Sequence, residues 1–117
     1  MKILLIEPNK HPVEKEISGT LASMQKLVGG TIQAIYPFEE PVALICNDEA
    51  KLQGLEMNRM LNEIGDIICG PFFLCGAPPN SESFVSLSEK QLEHYSSRFK
   101  SIELLVPLGE AVFVLEI

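Results

Sequence analysis

Pro41-Val-Ala-Leu-Ile-Cys46 is apolar at every position after its opening proline. A strand with one wet face alternates apolar and polar residues. An unbroken apolar run of this length reads instead as a strand covered on both faces. The run leads into a polar, Gly-punctuated connection, Asn47-Asp-Glu-Ala-Lys-Leu-Gln-Gly-Leu-Glu-Met-Asn-Arg-Met-Leu61. A second apolar run, Asp66-Ile-Ile-Cys-Gly-Pro-Phe-Phe-Leu-Cys75, follows. Gly70-Pro71 inside it suggests a bulge or an edge position, because proline cannot donate to a strand ladder. Within the connection, Asn47-Asp48 is good turn chemistry and Gly54 is a break. Met57, Met60 and Leu61 predict only a short helical or irregular piece.

On the N-terminal side, Lys2–Glu7 reads as a strand stopped by Pro8-Asn9, and the shared parity of Val13 and Ile17 predicts a second short one. Thr20 is placed to cap a helix with Leu21, Met24, Leu27 and Val28 on its apolar face, and Gly29-Gly30 ends it. Thr31–Tyr36 is β-branched and reads as a strand ended by Pro37. On the C-terminal side, Ala77–Ser83 is a loop. Ser88 and Gln91 then make a capping box for a helix that lines up Leu92, Tyr95 and Phe99. Ile102–Val106 and Ala111–Ile117 flank Pro107–Glu110 as a hairpin.

These elements predict a single α+β domain over residues 1–117. About six short strands should form a mostly antiparallel or mixed sheet, with one face buried against both amphipathic helices.

Hydrophobic residues make up 46% of the chain and charged residues 21%. That balance favours a packed core over disorder. The net charge of −7 disfavours a phosphate-binding surface for nucleic acid, and equally an anionic membrane. The acids are spread along the chain, so a dense DNA-mimicking track is not expected. Three cysteines without CxxC spacing and no secretory segment point to reduced thiols in a cytoplasm.

No phosphate-cradling glycine loop precedes a helix, no His/Cys/acid cluster has metal-ligand spacing, and the cysteines sit in apolar surroundings that make thiols inert. No catalytic residue, metal or cofactor is therefore expected. The central connection is the remaining candidate. Asn47, Glu49, Lys51, Asn58 and Arg59 place donors and acceptors on a segment expected to be exposed. Arg59 offers a planar fork to a carboxylate, a phosphate or a backbone carbonyl. The competing reading has Arg59 pairing with a local acid and Asn58 tying a turn.

The order of motifs resembles the family described as domain of unknown function 3846. The resemblance rests on Ile6-Glu-Pro8, Leu27-Val-Gly-Gly30, Cys46-Asn-Asp-Glu-Ala-Lys51, Gly54-Leu55, Asn58-Arg59, Asp66-Ile-Ile68 and Gly70-Pro-Phe-Phe-Leu-Cys-Gly76. Ala50 stands where a glycine is common in that family, and Glu56-Met57 where proline is frequent. The resemblance implies a setting on phages, plasmids and conjugative elements, and no catalytic residues. It points to a protein-interaction module whose partner is a host or element-encoded protein, with a role in countering host defence. The alternative expectation is a small anionic-ligand binder or enzyme that uses Arg59 to hold its ligand.

Overall fold

Nine strands and two helices follow one another in the computed structural model, which describes residues 1–117. They are β1 (Lys2–Ile6), β2 (Val13–Glu16), α1 (Leu21–Val28), β3 (Ile32–Ile35), β4 (Val42–Asn47), β5 (Met57–Leu61), β6 (Asp66–Cys69), β7 (Phe72–Gly76), α2 (Glu89–Arg98), β8 (Glu103–Leu108) and β9 (Ala111–Glu116). The class is α+β, as expected, with more strands than the six anticipated. Five of them form one sheet in the order β2-β1-β7-β4-β3, antiparallel at every pairing. The pairs β5-β6 and β8-β9 are separate hairpins.

The apolar run at residues 42–46 is explained by the layer on each side of it. Successive side chains of a strand point to opposite faces. Ala43 and Ile45 of β4 join Ile3, Leu5, Phe73 and Cys75 against Met24 and Val28 of α1. Val42, Leu44 and Cys46 join Leu4, Ile6, Phe72 and Leu74 against Leu92 and Tyr95 of α2 and its C-cap, Phe99. The helices therefore cover opposite faces, which corrects the expectation that both lie on one. A sheet backed by two helices on the same side would have left Ala43 and Ile45 in water. Each large side chain so enclosed contributes on the order of 2 kcal/mol by leaving water. Leu61 and Ile68 of the β5-β6 hairpin complete the α2 layer.

Both helices carry the predicted caps. The Thr20 hydroxyl accepts from Ser23 N–H at 3.2 Å, and Gly29, at φ 78°, closes α1 by donating to the Gln25 carbonyl at 2.9 Å. Leu21 does not join the buried face and is 55% exposed. In α2, Ser88 Oγ accepts from Gln91 N–H at 3.1 Å while Gln91 Oε1 accepts from Ser88 N–H at 2.9 Å.

Two expectations about the centre need correcting. Met57–Leu61 is a strand and not a helical piece, because its partner β6 supplies the pairing that its own pattern fails to announce. The Asp66–Cys75 run is two strands in different sheets, broken at Gly70-Pro71. Gly70 adopts φ 73°, and a Cβ there would stand 2.8 Å from Leu55 Cδ1. The corner needs a residue without a side chain. Pro71 then starts the chain back across the main sheet with no N–H to satisfy.

Candidate functional site

The five candidate residues separate into two groups. Asn47, Glu49 and Lys51 lie on the turn that leaves β4, and this turn walls a groove of about 170 Å³. Asn58 and Arg59 lie inside the protein and are fully buried.

The turn is built by Asn47. Its Nδ2 donates to the carbonyl of Val28 at the end of α1 (3.1 Å) and to Gln53 Oε1 (3.2 Å). Its Oδ1 accepts from Glu49 N–H at 2.8 Å. This is an Asx turn of the kind that Asn-acid sequences favour. Asn47 is only 4% exposed, so the side chain is an internal strut. Gly30 makes room for it, since a Cβ at that position would sit 3.0 Å from Asn47 Nδ2. The expectation of an exposed, available Asn47 is thereby corrected.

The turn holds Asp48 and Glu49 out in solvent, where neither carboxylate joins an ion pair. Lys51 Nζ crosses the groove to Asp66 Oδ1 at 2.6 Å. That hydrogen bond, with Ile67 N–H as a second donor to the same oxygen, holds the Asp66 carboxyl below its usual range. The floor includes Cys46 and Cys69. Burial, with Asp48 and Asp66 adding to it, pushes the Cys46 thiol up to about 11. Burial also raises Cys69, although Lys51 opposes it. Thiols in this state are poor nucleophiles. Nowhere do three or more His, Cys, Asp or Glu side chains come together as a metal would require.

Arg59 and Asn58 are both buried although adjacent in a strand, where simple alternation would send them to opposite faces. A register shift between Met57 and Arg59 resolves this: Met57 faces Cys69, Arg59 faces Ile68, and Asn58 is the extra residue. Such a bulge leaves one residue outside the ladder and re-aims its side chain. Asn58 Nδ2 donates to the carbonyls of Ile6 (3.0 Å) and Gly70 (2.9 Å), tying β1 to the Gly70 corner. The Arg59 fork donates from Nη1 to Asn58 O (3.2 Å) and Oδ1 (2.8 Å). From Nη2 it donates to the carbonyls of Lys10 (2.8 Å) and Phe99 (3.3 Å). Its Nε is enclosed and without a partner. Burial pushes the guanidinium down from its ordinary value, and Glu103 opposes that shift. No carboxylate lies within ion-pair distance of it. The expectation of an exposed Asn58-Arg59 is corrected: the Asn58 Nδ2 and Arg59 Nη donors are spent inside the protein, chiefly on backbone carbonyls of separate segments.

Sequence reasoning misses Gln33, Asp66, Ile67 and the two thiols as lining of the groove. Asp66 is fifteen positions from Lys51, and only the β5-β6 hairpin returns it there. No local spacing announces such a meeting.

The comparison with known families supports the grouping of these motifs. A family model described as Domain of unknown function (DUF3846) matches residues 1–100. The chain belongs to that family. Both clusters, the turn at Asn47 and the clamp at Arg59, fall within the matched stretch of this DUF3846 domain, while β8 and β9 lie beyond it. No curated protein and no solved structure matches the chain. No helix is long and apolar enough to cross a membrane.

Proposed function

We propose that this DUF3846 protein is a non-catalytic binding module, and that the groove between the Asn47–Leu52 turn and β6 takes part of a basic partner protein. The groove's size is the observation that supports this most. Its volume is about 170 Å³. Sites that enclose cofactors and metabolites begin at several hundred cubic ångströms. The groove suits a side chain or short segment presented by another protein. Its rim offers Asp48 and Glu49 unpaired, while Lys51 neutralises Asp66 across the groove. The complementary surface is therefore positively charged. The raised thiols leave it without an activated nucleophile.

The setting we propose is a mobile genetic element in the bacterial cytoplasm, with a host or element-encoded protein as partner and a component of host defence as the first class to test. The support is the family resemblance together with an acidic chain of −7.

Affinity purification from the native host tests the reading when the wild type is run beside Glu49→Lys and Asp48→Lys. The expected result is one specific basic protein that the wild type retains and both charge-reversed forms lose, with circular dichroism unchanged. Recovery of the same proteins by all three forms would overturn it, as would recovery of none.

A further inference from the structure

The β8-β9 hairpin has two unlike faces. Residues directly opposite each other in an antiparallel ladder share a face, and successive ones alternate. The register pairs Leu104 with Leu115, Val106 with Phe113 and Leu108 with Ala111. Ile117 N–H donates to the Ile102 carbonyl at 2.8 Å and adds one more pair to the same side. That side is apolar from end to end, without a charged or hydrogen-bonding side chain. The other side carries Glu103 opposite Glu116. Glu103 Oε1 accepts from Met60 N–H at 2.8 Å, so this second side looks onto β5 and the body of the protein.

The chain leaves the apolar side bare. Leu104, Leu108, Phe113 and Leu115 are about half exposed, and Ile117 is 76% exposed. Neither buried cluster takes in any of them. A two-stranded ribbon is marginal in water until its apolar face is packed. Side chains of this size, bared to this extent, leave on the order of 700 Å² on one face, above the few hundred that a monomer ordinarily shows in one patch.

We infer that the apolar face of β8-β9 is covered by the same face of a second copy of this chain, the two hairpins stacking as a small sandwich. The area is the first argument, because a stable interface of standard size takes about 800 Å² from each partner. The chemistry is the second. A face without charges or hydrogen-bonding groups gives a foreign protein little to recognise, and interfaces that are apolar throughout belong to permanent homodimers. A two-fold axis sets such a patch upon itself.

Charge fixes the direction of the axis. Each chain carries −7, so the copies gain by keeping their carboxylates apart. Glu103 and Glu116 already point to the opposite face. Glu110 lies in the turn at the hairpin's tip. An axis running across the strands at the Val106–Phe113 pair lays each tip over the Ile102–Ile117 end of the other copy. An axis running along the strands would bring the two Glu110 side chains together.

Sedimentation equilibrium of the full chain tests this over a hundredfold range of concentration. The expected mass is twice the 12.9 kDa of the chain, with a urea midpoint that rises with protein concentration. Phe113→Glu puts like charges into the apolar contact and should weaken association roughly a hundredfold or more. Leu104→Ser removes apolar area without adding charge and should weaken it about tenfold, which keeps the test open if Phe113→Glu fails to fold. Val114→Glu adds the same charge to the opposite face and should leave the dimer intact. A monomer at every concentration would overturn the proposal and leave the face to a different protein. A mass that keeps growing, or a dimer that both Phe113→Glu and Leu104→Ser leave intact, would overturn it as well. Equal loss in Val114→Glu and Phe113→Glu would do the same, since that pattern belongs to pairing along the β9 edge. The dimer takes nothing from the binding-module reading: Glu49→Lys should associate as the wild type does, so the two can fail separately.

Discussion

Arg59 Nη2 donates to the carbonyl oxygen of Phe99 at 3.3 Å, and Phe99 is the C-cap of α2. A helix ends with carbonyls that lack intrahelical donors and with the negative pole of its dipole. A buried cation placed there is partly compensated without a carboxylate in contact. The same nitrogen reaches Lys10 in the β1–β2 connection, so one side chain fastens a loop, a bulged strand and a helix end.

Removing that fork should therefore cost folding stability. Arg59→Met keeps most of the length but leaves the buried carbonyls at Asn58 and Phe99, and the partly buried one at Lys10, without donors, for a loss of about 3 kcal/mol. Arg59→Lys should recover less than half of it, since one ammonium cannot span carbonyls set apart to match a fork. Urea unfolding of the three proteins measures this. An Arg59→Met variant within about 0.5 kcal/mol of wild type would show that the clamp contributes no more than an ordinary surface residue.

The same pair marks where the sequence is legible and where it is not. The two capped helices can be read directly, because Thr20, Gly29, Ser88 and Gln91 act on neighbours three or four residues away. The doubly covered β4 is equally readable, because burial on both faces removes alternation. Local chemistry does not carry the layer order. Which side a helix packs on follows from the crossing path of the chain, and no residue of α1 or α2 announces that they take opposite faces. The Asn58-Arg59 reading fails for a related reason. A polar pair between apolar strands looks like an exposed loop unless the bulge that turns both side chains inward is known. The carbonyls that satisfy Arg59 Nη2 lie 40 and 49 positions away. The groove is half visible: the turn residues stand out in the sequence, whereas Asp66 and the thiols join them only through the hairpin.

Lys51 and Asp66 should matter much less than Arg59, despite their short contact. Their side chains are 60% and 49% exposed. Such pairs contribute about 1 kcal/mol or less once solvent screening is counted. The pH dependence has a definite sign. Lys51 depresses the Asp66 carboxyl in the folded state. Its contribution is therefore present above the ordinary Asp value of about 3.9 and is lost as pH falls through the lower folded value. Lys51→Met should be slightly less stable than wild type at pH 7, and the difference should be smaller at a pH below the ordinary Asp value. Urea midpoints at both values check this, and a gap that widens on acidification would contradict it.

The thiols offer a chemical readout of the groove floor. Burial pushes Cys75 up to about 12 and, aided by Asp48 and Asp66, Cys46 to about 11. All three cysteines are free and buried. At pH 8 the folded protein should react with a disulfide reagent far more slowly than a free thiol, and denaturant should release all three to rapid labelling. Cys69, where Lys51 offsets part of the rise, should be the first to react in the native state. Rapid stoichiometric labelling of Cys46 in the folded chain would restore the nucleophile reading that its surroundings argue against.

The last prediction concerns Glu103, which lies beyond the stretch matched by the family model yet touches its interior. Glu103 is 8% exposed, its Oε1 accepts from Met60 N–H at 2.8 Å, and its charge offsets the cost of burying Arg59. The β8-β9 hairpin that carries it is otherwise poorly enclosed, with Leu104, Leu108, Phe113 and Leu115 each about half exposed. Glu103→Gln retains an acceptor for Met60 and removes only the charge, so it isolates the electrostatic part. Alone it should cost about 1–2 kcal/mol, and in an Arg59→Met background much less, giving a coupling of about 1 kcal/mol in a double-mutant cycle. That coupling would make the hairpin part of the same cooperative unit as residues 1–100, held by one buried charge and not by its apolar faces. Strict additivity of the two substitutions would separate them, and would leave the Arg59 charge to the α2 C-terminus and the carbonyls alone.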